Sequence, residues 1–210
     1  MSRRAGGSGG PSRRRVLLTG ALVAAGFDVT VSALDRALGE GVPATPTCHD
    51  GDEPTVRQTA GPYFKPNSPE RADLIAPGMA GRVMELSGFV LTRRCTPVAR
   101  ALVDVWQADA DGLYDQQGFR LRGHMFSGAD GRYALRTIMP GLYSGRTRHI
   151  HVRVQAPGQP VLTTQIYFPG ERDNRSDSLY RRALEMKVAA TGERLAGQFD
   201  FVLDLMGSPR

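Results

Sequence analysis

The sequence predicts an all-β protein: a β-sandwich of mainly antiparallel strands, with one short helix and an irregular N-terminal arm. Three observations support this fold class. Glycine (25) and proline (14) are frequent among the 210 residues, which indicates many turns between short segments. Hydrophobic residues make up 40% of the chain, enough for a buried core. After Gly81, short apolar runs alternate with turn signals at the spacing typical of sandwiches.

The strands can be placed by their apolar runs and by the turns between them. Thr96-Pro97, Ala129-Asp130-Gly131 and Pro140-Gly141 mark turns. Residues Ser176–Lys187 are predicted to form the one helix, because their apolar side chains recur near helical spacing behind a Ser or Asp cap. The predicted strands cover residues 82–91, 101–106, 132–138, 149–154, 161–168 and 199–205.

Three segments follow from this pattern. Residues 1–44 are predicted to be an export signal and linker, residues 45–80 an irregular arm rich in proline and polar groups, and residues 81–210 the folded sandwich domain. Arg14 and Arg15 directly precede an apolar run of about a dozen residues, which is a signal-peptide pattern. The run is shorter than the roughly 20 apolar residues of a membrane-spanning helix.

The paired arginines resemble a twin-arginine signal, which predicts export by that machinery to the cell envelope or the extracellular space. The alternative is a disordered basic tail beside a short buried helix. Residues 1–44 hold six Arg and three acidic residues, a net charge of +3, which leaves 21 basic and 18 acidic residues, also +3, in the rest of the chain. Without a Lys/Arg block, this balance argues against a nucleic-acid partner.

The two cysteines, Cys48 and Cys95, both follow the predicted signal. An even cysteine count in an exported chain favours a disulfide, which would tie the arm to the turn at Cys95. Two free buried thiols are the alternative, because spacing alone does not prove a bond.

His149 and His151 are the first candidates for chemistry. Residues two apart on a strand face the same way, so these imidazoles should project together while Ile150, Val152 and Val154 fill the opposite face. Paired histidines on a strand can equally be ordinary surface groups. His124, in Arg122-Gly123-His124, could be a further pocket residue, and its role is left open.

Tyr114 and Tyr143 are the second pair of candidates, since each follows a glycine-containing turn. A tyrosine in a polar loop is commonly a packing residue. A trivalent metal can nevertheless deprotonate a phenol well below its free pKa of about 10. Two phenolates with two neutral imidazoles would make a site that favours Fe(III) over Zn(II).

Four segments and one turn form an ordered set of motifs. The segments are Val103–Tyr114, Thr137–Tyr143, Arg146–His151 and Thr164–Phe168, and the turn is Cys-x-Pro-Val at residues 95–98. Together they resemble the motifs of the intradiol ring-cleavage dioxygenases, and within that family those of the protocatechuate 3,4-dioxygenases. The resemblance runs from about Gln58 to Leu205.

The resemblance implies a function and a set of site residues. It implies one Fe(III) per chain, held by Tyr114, Tyr143, His149 and His151, and a catecholic substrate cleaved with O2 to a muconate-type diacid. Tyr143 would leave the iron and take up a substrate proton. The other implied roles are charge stabilisation by Arg146, an oxygen-side position for Gln165, and substrate contacts by Pro62 and Tyr63.

Two departures from the family leave the substrate open. The loop between Tyr143 and His149 is short, and Ser144 replaces a bulkier pocket residue, which suggests a more open site. The chain also lacks the helical N-terminal dimer domain of the catechol and hydroxyquinol enzymes, so the oligomeric state is not implied. Two other functions are considered: a secreted β-sandwich binding module that has lost catalysis, and a zinc hydrolase using His149 and His151.

Overall fold

The computed structural model describes residues 53–143 and 145–205. Within these ranges the chain forms two β-sheets and no α-helix, which confirms the predicted fold class. No helix of this part has the length and apolar character needed to cross a membrane. The strands are β1 (Val83–Thr92), β2 (Leu102–Trp106), β3 (Arg122–Phe126), β4 (Arg132–Ile138), β5 (His149–Gln155), β6 (Leu162–Tyr167), β7 (Lys187–Thr191), β8 (Arg194–Gln198) and β9 (Phe201–Leu203).

The first sheet has the order β4-β1-β8-β7, with β9 paired to the far end of β1. β1 pairs antiparallel with β4 and parallel with β8 and β9. The second sheet has the order β3-β2-β5-β6 and is antiparallel throughout. Its two central strands are β2 and β5, and β5 carries His149 and His151.

The core lies between the two sheets and is built from alternate residues of each strand. On β5, Ile150, Val152 and Val154 are fully buried in this core, as predicted. Burying one such side chain contributes about 1.5–3 kcal/mol. Because these side chains fix which way β5 faces, they direct His149 and His151 to the outer face of the sheet.

The arm covers that outer face. Gln58 N donates to Thr163 O at 2.8 Å, and Thr164 Oγ1 donates to Val56 O at 2.7 Å, which fastens the arm along β6. Further along, the ring of Phe64 lies edge-on to Trp106, with the Arg153 guanidinium 3.4 Å from the Phe64 ring centroid. The outer face of the second sheet is therefore a second, mixed polar and aromatic core.

The predicted helix over Ser176–Lys187 is wrong. Two short 3-10 helices, Arg172–Arg175 and Arg182–Leu184, stand in this region, and Lys187 begins β7. Leu184 and Met186 are buried on either side of a half-exposed Glu185, which is the two-residue period of extended chain. Met186 N accordingly donates to Tyr167 O at 3.0 Å, across from β6.

Three strands were not predicted. β3 contains glycine and polar residues in the sequence Arg-Gly-His-Met-Phe, a composition that carries a weak strand signal. β7 and β8 form a hairpin around Gly192, which has φ of +59°. β7 lies at the sheet edge and is mostly exposed, so apolar alternation is weak there too. The strand predicted over residues 199–205 is shorter, Phe201–Leu203.

Candidate metal centre

His149 and His151 project side by side from β5 into the outer core. They are 4% and 3% exposed, and their Nε2 atoms are 3.2 Å apart. His149 Nδ1 donates to Thr147 O at 2.7 Å, an interaction that directs the Nε2 lone pair into the site. The ring of Trp106, the β2 neighbour of His151, stacks on His151 at 4.9 Å between centroids. These contacts hold both rings in place.

Tyr114 and Tyr143 come from two loops that are locked together. Asp109 O accepts hydrogen bonds from Gly112 N at 3.1 Å and from Gly141 N at 2.6 Å. A Cβ atom on Gly112 would lie 2.1 Å from Leu142 O, and Gly112 has φ of +81°. Only glycine permits this approach. The lock places the rings of Tyr114 and Tyr143 at 5.8 Å, edge to face.

Three of the four side chains, Tyr114, His149 and His151, converge on one point in the structure. Tyr114 Oη lies 3.3 Å from His149 Nε2, which in turn lies 3.2 Å from His151 Nε2. Two donor atoms that each lie about 2.1 Å from one metal ion are about 3.0–3.4 Å from each other when the donor–metal–donor angle is between about 90° and the tetrahedral angle. The spacing and the lone pair of His149 therefore fit a common cation. Tyr143 adjoins this group through the edge-to-face contact of its ring with Tyr114.

Burial keeps His149, His151 and Tyr114 neutral in the metal-free protein. Burial, reinforced by the charge of Arg146, lowers the pKa of His149 to about 4. Burial and the neighbouring His149 lower the pKa of His151 well below its usual value. Burial also raises the pKa of the Tyr114 phenol above its usual range, although the charge of Arg146 opposes this rise. Neutral imidazoles are ready to bind a metal, whereas the phenol needs a strong Lewis acid to lose its proton.

Arg146 lies beside the donors, as the sequence predicts, and is held on two sides. Its Nε donates to Asp177 Oδ2 at 2.8 Å. Its Nη2 donates to Gln165 Oε1 at 2.7 Å and approaches the Tyr167 hydroxyl at 3.4 Å. Gln165 is fully buried opposite His151 on β6, and its amide donates to Thr59 O at 3.0 Å. The structure thus brings the three candidates for catalysis, Tyr143, Arg146 and Gln165, to one site.

The two candidates for substrate contact differ in their positions. Tyr63 stacks on Tyr114 with centroids 4.5 Å apart, and its hydroxyl lies 3.1 Å from the Tyr143 hydroxyl. Gly61 lies against His151, since a Cβ there would be 3.3 Å from Cε1. Pro62 is exposed, and no described contact ties it to the donors. Leu113 and Leu142, beside the two tyrosines, are 64% and 48% exposed, so the rim of the site is open and apolar.

His124 lies apart from the donor cluster. Its Nδ1 is 3.1 Å from Ser68 Oγ, which donates to Asp104 Oδ1 at 2.7 Å. This group fastens the arm to β2 and β3. No set of three or more His, Cys, Asp or Glu side chains suited to a metal exists among residues 53–143 and 145–205. A zinc hydrolase site of the usual composition would need such a set.

The predicted disulfide involves a residue that the structure does not describe. Cys95 is disulfide-bonded. Cys48 lies outside the described residues, as do the predicted signal at residues 1–44 and Ser144, so the pairing with Cys48 stays a prediction.

Sequence reasoning missed three residues that support the site. Trp106 stacks on His151, Asp177 binds Arg146, and Asn174 Oδ1 accepts from Thr147 Oγ1 at 2.6 Å. Asp177 and Asn174 are distant from the histidines in sequence; Asp177 falls in the region assigned to a helix, and Asn174 lies two residues before it. Only Trp106 had a usable signal, because it ends the strand that leads to Tyr114.

Comparisons with known proteins place this site in a wider context. A family model described as "Dioxygenase" matches residues 59–205. Hydroxyquinol 1,2-dioxygenase from Nocardioides simplex is 35% identical over 155 residues, covering 62% of this chain and 52% of that protein. Chlorocatechol 1,2-dioxygenase from Pseudomonas sp. strain P51 is 30% identical over 181 residues, covering 73% of this chain and 71% of that protein.

One solved structure covers a domain of similar extent. The dioxygenase domain of a dioxygenase carbohydrate-binding protein fusion from Streptomyces sp. SirexAA-E has a TM-score of 0.72 and 56% sequence identity, over 73% of this chain and 99% of that domain. By contrast, the chain spans about half the length of the hydroxyquinol 1,2-dioxygenases that it matches, 52% and 50% for two of them.

Proposed function

Because the chain belongs to the dioxygenase family that includes the hydroxyquinol and catechol 1,2-dioxygenases, we propose that it cleaves catechols by intradiol ring opening. The observation that carries this proposal is the clustering of two imidazoles and one phenol, all buried, with the half-buried Tyr143 in ring contact with Tyr114. Tyr114, Tyr143, His149 and His151 would hold one Fe(III) per chain. The donor set supports this choice, since phenolate oxygen suits a hard, oxidised metal.

Ferric iron supplies the Lewis acidity and the redox chemistry by which a catecholate reacts with O2. In the overall reaction, the bond between the two hydroxyl-bearing ring carbons breaks and both oxygen atoms enter the product, a muconate-type diacid. The chain itself must accept the catechol protons, stabilise negative charge and keep water away. Its described residues suit each of these tasks.

Tyr143 is placed to take up a substrate proton. It is half-buried, in contrast to the buried Tyr114 and histidines, so it is the donor nearest the open rim. Arg146 provides a fixed cation for charge that develops on the substrate, an effect that is strong in a site shielded from water. Gln165, fully buried, keeps the Arg146 head group in place and is in turn anchored to the arm.

The proposed substrate is a catechol, and its ring substituents are not assigned. The relatives are named for hydroxyquinol, catechol and chlorocatechol, and their names differ only in ring substituents. The exposed Leu113 and Leu142 at the rim are compatible with protocatechuate, catechol, hydroxyquinol or larger lignin-derived catechols. Export through a twin-arginine signal is also part of the proposal, because Arg14 and Arg15 precede the apolar run. Outside the membrane, plant and soil aromatics are available substrates.

The test is the visible spectrum of the iron-loaded protein before and after anaerobic addition of catechol. A red-brown phenolate-to-iron band that shifts with catechol, followed by product formation once O2 is admitted, is the expected result. A protein that stays colourless with iron would contradict the proposal and favour a binding module without catalysis.

Matched histidine variants sharpen this test. His149→Ala and His151→Ala are expected to lose the iron and the band, because each removes one buried donor. His124→Ala serves as the control, since that histidine contacts Ser68 rather than the donor cluster. Full iron and activity in either donor variant would show the ligand assignment to be wrong.

A further inference from the structure

The carboxylate of Asp177 lies at the centre of the hydrogen-bond network behind the donor cluster. Its side chain is 1% exposed. Oδ2 accepts from Arg146 Nε at 2.8 Å and from Thr147 N at 2.9 Å. Oδ1 accepts from Leu179 N at 2.8 Å. A carboxylate buried to this degree keeps its charge only when it is paired and hydrogen-bonded, and here both oxygens are used.

Asp177 and Gln165 hold Arg146 along two edges of its planar head group. Asp177 accepts a hydrogen bond from Nε, and Gln165 accepts one from Nη2. In the part of the chain that the structure describes, Nη1 makes no hydrogen bond and remains available. An arginine head group samples many positions unless its planar fork is held in this way. The Arg146 side chain is 18% exposed, so its head group is largely shielded from water.

The position of Arg146 next to the donors follows from its contacts. Its backbone N donates to Tyr143 O at 2.9 Å, and Gln165, which accepts from its head group, lies opposite His151 on β6. The guanidinium is therefore close to the point where a substrate would bind. Its exact orientation therefore matters, because a displacement of about 1 Å can change a rate by about a hundredfold.

We propose that Asp177 is the positioning residue for Arg146, which it aims at the negative charge of the bound catecholate through the ion pair at 2.8 Å. This inference rests on the proposed function. It goes beyond it by assigning a role to a residue in the segment between β6 and β7, outside the motif that contains the histidines. Asp177 does not touch the substrate and acts only through Arg146.

A purely structural role is the competing explanation. Asp177 also binds Thr147 N and Leu179 N, so it joins the loop before β5 to the segment before β7. In that case, losing the carboxylate would lower stability and affect the site whether or not Arg146 is present. The two roles differ in how the effect of Asp177 depends on Arg146, which a double-mutant cycle measures.

The central variant is Asp177→Asn. Asparagine keeps one acceptor oxygen for a backbone N–H, but it loses the negative charge that holds Arg146. We expect kcat to fall by about 10- to 100-fold, with KM changed much less. The iron content and the visible band before catechol addition should remain unchanged, because none of the four donors is altered.

The cycle uses Asp177→Asn, Arg146→Ala and the double variant, all as iron-loaded full-length protein. In the Arg146→Ala background, Asp177→Asn should change kcat by less than about twofold, since its target is gone. Glu171→Gln is the matched control: it breaks the neighbouring ion pair with Arg148, at 3.0 Å, and should leave kcat within about twofold of the parent.

Two results would overturn the inference. One is an equal loss from Asp177→Asn with and without Arg146, which indicates a structural role. The other is an unchanged kcat in Asp177→Asn when the parent protein is active. Failure of the proposed function looks different, because the parent itself would then lack the band and ring cleavage.

Discussion

Burial sets the protonation state of His149, His151 and Tyr114 before any metal binds. The low pKa of His149, about 4, means that its imidazole is neutral across the physiological range. The Tyr114 phenol, with its raised pKa, is protonated over the same range. Iron binding would therefore release phenol protons, and the positive charge of the metal would balance the negative charge of the phenolates.

Tyr143→Phe separates iron binding from turnover. With three donors left, the variant is expected to retain iron, but to shift the colour and to lower kcat by about 100-fold or more, as for loss of a general base. Iron content, visible spectra and steady-state rates test this. Tyr133→Phe is the control, because its hydroxyl bonds Phe199 O in the other sheet. An unaltered band in Tyr143→Phe would argue against Tyr143 as a ligand.

The stability contribution of Asp177 depends on pH. Burial alone raises the pKa of Asp177, but hydrogen bonds from Leu179 N, Thr147 N and Arg146 outweigh it and leave the pKa below its usual value. The unfolded chain, with a pKa of about 3.9, then binds the proton more readily than the folded protein. The contribution is therefore complete above about pH 4 and is lost as the pH falls through the folded pKa.

Urea unfolding of the metal-free parent and of Asp177→Asn, at steps from pH 7 to pH 3, checks this sign. The parent should be more stable at pH 7, and the difference should narrow below about pH 4. A difference that stays constant to pH 3 would show that the charge of Asp177 is not what stabilises the fold.

At the level of elements, the site combines one rigid strand with two locked loops. β5 fixes the histidines because its opposite face is buried in the core. The tyrosines depend instead on the contact between the loops at Gly112 and Gly141. There the backbones touch: a Cβ on Gly141 would lie 2.4 Å from Ala110 O. The positions of the two phenols are thus coupled.

Gly112→Ala should disturb both loops at once. The positive φ costs an alanine about 1–2 kcal/mol, and the clash with Leu142 O adds about 1–3 kcal/mol. Iron affinity should fall as well, because Tyr114 and Tyr143 move. Gly158→Ala is the control, since Gly158 has φ of +70° but no atom within 4 Å of the added Cβ. Chemical denaturation and iron titration of both variants provide the measurement. Equal losses of stability would contradict the proposed lock.

At the level of the whole molecule, the arm joins both sheets to the site. Thr55 N donates to Val202 O at 2.9 Å beside the first sheet, whereas Gln58 and Phe64 cover the second. Tyr63 reaches the tyrosines from the same arm. The folded domain is thus complete only with the arm in place.

The export prediction can be tested on the full-length chain. Replacing Arg14 and Arg15 by lysine keeps the charge but removes the arginine pair, so the protein should accumulate inside a host with a twin-arginine system. The matched control replaces Arg3 and Arg4, which lie far from the apolar run. Fractionation and immunodetection compare the two. Equal export of both variants would refute the twin-arginine route.

Part of the fold and most of the site could be predicted because their signals are local. The alternation on β5 predicts both the core face and the pairing of His149 with His151. The strands that were missed, such as β3 and β7, lack this alternation because one is glycine-containing and the other is an exposed edge. The wrong helix at Ser176–Lys187 shows the limit of spacing arguments: Leu184 and Met186 are buried in extended chain beside β6, whereas Ala183 is exposed.

The sequence by itself determined the sandwich class and the common facing of His149 and His151, because strand periodicity is a property of neighbouring residues; the resemblance to a family added the four proposed donors and Arg146. Only the tertiary structure decided that Gly112 and Gly141 lock the tyrosine loops, that Trp106 stacks on His151 and that Asp177 binds Arg146. These contacts join residues on different elements. They form only when folding brings those elements together and removes the side chains and backbone between them from water. No spacing along the chain encodes that environment.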